Sequence, residues 1–543
     1  MKSALAAAAR KLGAADVDVQ LDRPRDETHG DVATNLALQL AKPLKKKPRE
    51  VAQAILDVLD TPAGLIRKVE IAGPGFINFF LDEAAVASVV RTVLDQGRAY
   101  GGSAVGAGRP VNVEFVSANP TGPLHVGHGR QACIGDAVAC LLERTGWRVT
   151  REFYYNDGGT QIANLALSVQ ARMRQLRDRD GVIPEGGYHG EYIRDIAEAY
   201  VAGHPDDPEG ADLDAVRRFA VHVLREEQDR DLKALGVVFD VYSLESSLYE
   251  RGDVERTVGR LTAAGHTYVR DGALWLRTTD FGDDKDRVMR KSADKGGDHT
   301  YFVPDVAYHV TKWERGFTRA INVQGADHHS TVTRVRVGLQ ALEFGIPDGY
   351  PEYVLHQMVT VVKGGEEMKL SKRAGSYLTV RDLVDEVGAD AVRYFFLMRR
   401  SDSHFVFDVD LAKKQSDENP VYYVQYAHTR MAGIFRTAGL DPAIITAAFA
   451  DPAALVADLE QDVLKLLAEY PTVVARAAET LEPHRVIAYL EDLARAVNAW
   501  YHHHRVLGEP PAVERGRLML ARAAQLVLAN GLGLLGIAAP ERM

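Results

Sequence analysis

Apolar residues along the chain recur at two spacings, and the switches between them mark its elements. Intervals of three and four, the period of one helix face, run through residues 3–12, 32–42 and 48–59. Short β-branched and aromatic runs at 69–72 and 76–81 predict strands. The first hundred residues therefore read as a small α/β unit, and the glycine-rich stretch 101–108 reads as a linker. A β-branched run at 110–116 predicts a strand, 117–123 a loop, and 124–144 a long helix stopped by Gly146. A second strand follows at 148–155. This β-loop-α-β order opens a doubly wound nucleotide-binding sheet. From about 172 to 291 the simple alternation is lost. Helices at 192–201 and 214–235 precede a hairpin at 268–276 whose turn is Asp271-Gly272. That region reads as an insertion, with the sheet resuming near Tyr301. From 412 onward the pattern is nearly all helical.

The expected fold class is α/β. It comprises a doubly wound parallel-sheet catalytic domain (106–385, insertion about 172–291), a small N-terminal α/β domain (1–105) and an all-α C-terminal bundle (386–543). A length of 543 residues agrees, since one core cannot serve so long a chain. Apolar content of 46% and charged content of 26% are those of a soluble globular protein. No uncharged apolar run approaches the ~18 residues of a membrane span. The alanine-rich start, with Lys2, Arg10 and Lys11, reads as a first helix and not as a signal peptide. Cys133 and Cys140 fall on one predicted helix about two turns apart, too far to bridge. They are expected as free thiols in a reducing cytoplasm, and two cysteines exclude a four-thiolate zinc site. The net charge of −10 speaks against a wholly basic nucleic-acid binder. A basic docking face would suffice, however, and residues 42–49 hold the densest basic stretch. That stretch reads equally well as a solvated helix entry.

Two short segments carry the chemistry. Thr121-Gly122-Pro123-Leu124-His125-Val126-Gly127-His128 puts two histidines at a helix entry. The helix start offers free N–H groups and partial positive charge, a ready anion site. His125 and His128, three apart, share a face and can donate to phosphate oxygens. Gly127 leaves room for a flat base on the backbone. Met368-Lys369-Leu370-Ser371-Lys372-Arg373 puts cations on a loop flanked by Gly364, Gly365 and Gly375. Lys369, Ser371 and Lys372 suit a triphosphate, with Lys372 stabilising charge that develops at the α-phosphate. Gly325-Ala326-Asp327-His328-His329 follows an apolar run, and Gly325 and Asp327 suit ribose hydroxyls. A metal on the two adjacent histidines is disfavoured, because consecutive side chains diverge.

These segments resemble the paired signature of class I aminoacyl-tRNA synthetases. Further stretches resemble the bacterial arginyl-tRNA synthetases: Val113-Glu114-Phe115-Val116-Ser117-Ala118-Asn119-Pro120, Tyr154-Tyr155-Asn156-Asp157-Gly158-Gly159, Tyr188-His189-Gly190-Glu191-Tyr192 and Asn419-Pro420-Val421-Tyr422-Tyr423-Val424-Gln425-Tyr426-Ala427-His428. The resemblance implies a ligase that activates arginine with ATP to arginyl-adenylate and transfers it to the 3′ end of tRNA(Arg), with activation requiring bound tRNA. It implies arginine binding by Glu114, Asn119, Tyr301 and Asp305, and ATP binding by His125, Gly127, His128, Gly325, Asp327, Lys369, Ser371 and Lys372. His125, His128, Lys369 and Lys372 would be catalytic. It implies anticodon contacts from Tyr423 and Tyr426, and tRNA-elbow contacts from the N-terminal hundred residues. A guanidinium, with five donors and no acceptor, calls for such carboxylates and neutral acceptors. Pro304 is expected to start a helix at Asp305. ATP would arrive with Mg2+, with no permanently bound cofactor and no structural metal, in a monomeric cytoplasmic protein without membrane contact. Two features depart from the family pattern. Leu370 stands where the class has methionine, and His328-His329 stands where some relatives carry glutamine. The competing readings are a non-catalytic tRNA-binding relative and a class I synthetase for another amino acid.

Overall fold

The computed structural model describes the chain from Met1 to Met543 except residues 15, 16, 23, 25, 62, 63 and 369–377. The lysine loop, with Lys369, Ser371, Lys372 and Gly375, thus lies outside the described residues. Five parallel strands form the centre: β1 (Pro110–Glu114), β2 (Arg148–Tyr155), β3 (Val241–Leu244), β4 (Ala320–Gly325) and β5 (Glu352–His356). Their order is β5-β4-β1-β2-β3. The chain steps outward from β1 through β2 to β3, then returns on the other side of β1 as β4. Beyond the carboxyl ends of β1 and β4 the order reverses, which leaves a crevice.

One face of this sheet is ordinary. Val111, Val113, Ile321 and Val323 pack with helix α1 (Val126–Arg144) in a large apolar core. The other face is not. Asn112, Glu114, Glu152 and Asn322 are all buried there. Glu114 pairs in register with both Asn322 and Glu152. A parallel sheet covered on both sides normally carries apolar residues on both, so this polar row needs partners. Helix α2 (Phe302–Glu314) supplies them. It starts at Phe302, three residues before the position expected from Pro304. Proline is tolerated at its third position because first-turn N–H groups have no helical acceptor. Asp305 remains in the first turn.

Other expectations also change. Residues 32–42 are not one helix: Val32–Thr34 is a strand paired with Phe76–Leu81, and the helix is Leu36–Leu44. Residues 101–108 are not slack, because Gly101 packs so closely on the Tyr470 ring that no Cβ fits there. Within 172–291, β3 rejoins the central sheet beside β2. The hairpin forms as expected, Thr267–Arg270 against Ala273–Leu276, with Asp271 and Gly272 both at positive φ. Gly364 and Gly365 form a tight turn between Val359–Lys363 and Glu366–Glu367.

The C-terminal helices are α3 (Pro420–Ala438), α4 (Asp458–Thr480), α5 (His484–His503) and α6 (Pro511–Leu534). Their core is continuous with that of the sheet. Arg393, fully buried, joins three regions. Its guanidinium donates to the Leu535 carbonyl at 2.7 Å, the Leu235 carbonyl at 3.1 Å and the Asp136 carboxylate at 2.6 Å. The N-terminal unit keeps its own core around Leu5, Leu40, Val51, Ile55 and Phe79. It meets α4 through the Lys465–Asp31 ion pair at 2.7 Å.

Candidate active site

The crevice is built from the ends of β1 and β4. After β1 the backbone is strained, with φ +67° at Val116 and +41° at Ser117. A β-branched residue in the left-handed region is uncommon and costs of order 1–3 kcal/mol. The turn brings the Ser117 hydroxyl back to donate to Glu114 at 2.9 Å. The loop beyond it is pinned by Gln228, which donates to the Asn119 and Gly122 carbonyls at 3.2 and 2.9 Å. Asn119 itself donates to Gln161 at 2.7 Å.

His125 is the N-cap of α1, and the two histidines form a reciprocal box. The His125 Nδ1 accepts from the Gly127 N–H at 3.1 Å, and the His128 Nδ1 accepts from the His125 N–H at 3.3 Å. The rings stack with centroids 3.7 Å apart. With both Nδ1 atoms accepting, the neutral tautomer carries its hydrogen on Nε2. Each ring is therefore a donor on the side away from the helix backbone. Gly127 has a local reason too: a Cβ there would stand 3.0 Å from the His125 ring. Across the crevice, Asp327 folds over Gly325, and no Cβ at 325 would clear its carboxylate. His328 lies 3.7 Å from Asp327.

Beneath lies the polar row. Lys312, with no exposed side-chain surface, donates to Glu114 at 2.5 Å and to Asn322 Oδ1 at 3.3 Å. It also lies 4.4 Å from the Tyr308 ring centre, over its face. Burial, then the Lys312 charge, pushes His309 down to about 4, so its ring is neutral. That ring donates from Nδ1 to the Asp305 carbonyl at 2.7 Å and accepts from Asn322 Nδ2 at 2.7 Å. Burial works to raise the Glu152 carboxyl, but Lys312 and Arg315 outweigh it and hold it low. Asp305, one turn above His309, has no such relief. Burial first, then the negative charges of Glu245 and Glu114, push its carboxyl up to about 8. Glu245 is raised as well, by burial and by Asp157, although it accepts from the Tyr154 hydroxyl at 2.9 Å. Tyr301, at the N-cap of α2, is 67% exposed.

Glu114, Glu245 and Asp305 thus lie close enough for the charges of the first two to act on the third, while Tyr301 stands at the start of α2 and Asn119 in the loop after β1. The histidines and Gly325–Asp327 stand at the strand ends above. The sequence reading missed Glu245, His309, Lys312 and Asn322. One signal was available: 305, 309 and 312 share a helix face, and a run of titratable residues on a face that must be buried announces a built site. Tyr426 stacks on Tyr422 at 5.8 Å with Arg430 4.5 Å from its ring centre, whereas Tyr423 packs against the apolar core.

Three family models match the chain. Residues 1–81 match an arginyl tRNA synthetase N-terminal domain, 89–430 the catalytic domain of class I (R) tRNA synthetases, and 424–543 a DALR anticodon binding domain. An arginine–tRNA ligase of Geotalea daltonii is 56% identical, covering 96% of this chain and 94% of its own length. One from Bordetella petrii is 56% identical, over 99% of this chain and 98% of its own. An arginyl-tRNA synthetase structure from Thermus thermophilus superposes with a TM-score of 0.80 at 24% identity, covering 100% of this chain and 99% of that one.

Proposed function

The chain belongs to the class I arginyl-tRNA synthetases, and on that premise we propose how its cleft performs the reaction. It is an arginine–tRNA ligase, joining arginine to tRNA at the expense of ATP. A non-catalytic relative is not favoured, since the identity to ligases runs the whole length.

In our reading the guanidinium enters the acidic pocket. Asp305 takes it through its carboxylate, with Tyr301 closing the mouth. Glu114, already held by Lys312 and Ser117, offers its remaining lone pairs. Asn119 orients the amino-acid end, so that the arginine carboxylate faces the α-phosphate. His125 and His128 donate from Nε2 to the triphosphate above the helix start, while Gly127 lets the adenine approach the backbone. Gly325 and Asp327 receive the ribose. Lys369, Ser371 and Lys372 complete the phosphate site, with Lys372 stabilising the departing diphosphate. Attack is in line, and the protein supplies positioning and charge without a covalent enzyme intermediate. ATP arrives as its magnesium complex. Tyr423 and Tyr426 meet the anticodon, where each stacked base contributes about 1–3 kcal/mol. The N-terminal domain (1–105) contacts the tRNA elbow, the domain 106–385 carries catalysis and 386–543 reads the anticodon. The protein works as a cytoplasmic monomer.

The observation that carries this reading is the convergence of Glu114, Glu245 and Asp305, close enough that burial and the charges of the other two raise the Asp305 carboxyl to about 8. ATP–diphosphate exchange with each amino acid, with and without tRNA, tests it. Exchange is expected with arginine alone among the twenty and only when tRNA is present. Exchange driven by another amino acid, or an equal response to several, would reject it.

A further inference from the structure

Gln324 is a polar residue near the end of a central strand, and its Oε1 is buried without a hydrogen-bond partner among the described residues. A buried acceptor left unpaired forfeits its hydration without compensation, so it calls for a donor. The strand's geometry shows where that donor would come from. Side chains alternate across a strand. Ile321 and Val323 face the apolar core beneath α1, so Asn322 and Gln324 face α2. Asn322 does meet α2, through His309 and Lys312. The helix ends at Glu314 and the chain enters β4 at Ala320, so α2 runs antiparallel to the strands and its first turn lies toward their carboxyl ends. From His309 back to Asp305 the helix rises about 6 Å. From Asn322 on to Gln324 the strand advances about 6.7 Å. Gln324 therefore stands level with Asp305 across the pocket, as Asn322 stands level with His309 one step below.

We propose that Gln324 is a specificity-determining residue, whose Oε1 accepts a guanidinium N–H that the Asp305 carboxylate leaves over. This rests on the assignment of the acidic pocket to arginine. The chemistry suits the place. A carboxylate accepts two of the five guanidinium N–H groups in a fork. The pocket already holds Glu114, Glu245 and Asp305, so a further carboxylate would meet repulsion and resist ionisation. A neutral amide oxygen adds an acceptor without adding charge. It also disfavours lysine, whose compact ammonium cannot reach both walls at once.

The test replaces the amide by apolar groups of similar volume, Gln324→Leu and Gln324→Met, in the full-length protein with saturating tRNA. Steady-state exchange should show the arginine KM raised at least about tenfold in both variants. The ATP KM should stay within about twofold, and the preference for arginine over lysine in kcat/KM should shrink by a similar factor. Circular dichroism and the melting temperature confirm the fold of each variant, and the near-isosteric methionine keeps the test alive if the leucine variant misfolds. Unchanged arginine KM in a folded variant would overturn the assignment of Gln324, and so would an ATP KM that rises as much as that for arginine. Failure of the wild-type protein to respond to arginine would instead overturn the reading of the pocket itself.

Discussion

Arginine should enter its pocket by expelling a proton. The Asp305 carboxyl is pushed up to about 8 by burial and by the charges of Glu245 and Glu114. At pH 7 such a group is about nine-tenths protonated. A guanidinium against it favours the carboxylate and draws its pKa back down. Binding at pH 7 should therefore release about 0.9 proton per arginine, falling to about 0.25 at pH 8.5. Ionising the carboxyl one unit below its pKa costs about 1.4 kcal/mol, so arginine should bind about tenfold more weakly at pH 7 than well above 8. Titration calorimetry in buffers of different ionisation enthalpy measures the proton count directly. The plot of log Kd against pH should have a slope near −1 below 8 and flatten above it. Heats independent of the buffer at pH 7, with a Kd constant from 6.5 to 8.5, would refute the argument. For stability without arginine the sign is the opposite. A carboxyl whose folded pKa lies above its unfolded value of 3.8 contributes stability below about pH 4 that is lost as pH rises through 8. Asp305→Asn should remove that loss, leaving the apoprotein more heat-resistant at pH 8 while weakening arginine binding at least about tenfold.

Four further outcomes are expected. Lys312→Met leaves Glu114 buried without its cation and should cost about 3–5 kcal/mol in denaturant unfolding, much of it regained by adding Glu114→Gln. Gly127→Ala puts a Cβ 3.0 Å from the His125 ring; adenylation should fall at least about tenfold with little change in melting temperature. Lys372→Ala should lower single-turnover adenylation at least about tenfold, roughly 1.4 kcal/mol of transition-state stabilisation; an unchanged rate removes its role. Tyr423→Ala should weaken tRNA binding by about 1–3 kcal/mol at fixed salt if its ring stacks on a base, and unaltered affinity would leave Tyr423 as a core residue.

The sequence disclosed the nucleotide side of the site more fully than the arginine side. His125, Gly127 and His128 fall within four residues, and the helix entry that organises them can be read from a strand, a proline and a long helical run. The acidic pocket is assembled from three separate stretches of chain. Glu114 comes from β1, Glu245 from just beyond β3, and Asp305 from α2. Glu245 sits inside what the pattern presented as an insertion, and only the return of Val241–Leu244 to the sheet brings it to the site. Lys312 was hidden for another reason: in the last turn of a helix it resembles a snorkelling lysine whose ammonium reaches water. Only the register of Asn322 against Glu114 shows that it points inward. The helix starts at Phe302 and not at Asp305 because proline, which the sequence pattern places just ahead of the helix, is equally at home at its third position.

The knot at Arg393 bears on how such a protein could be cut and recombined. One side chain closes the last turn of the C-terminal helix and the end of a helix packed beside the central sheet, while gripping the helix that begins with the two histidines. A chimera that exchanges the bundle for a relative's must carry the carbonyl at position 535 to the same spot, or leave one guanidinium N–H of a buried arginine without its acceptor. The bundle is grafted to the reaction centre rather than hung from it, and the workable seam for an engineer lies upstream of residue 393.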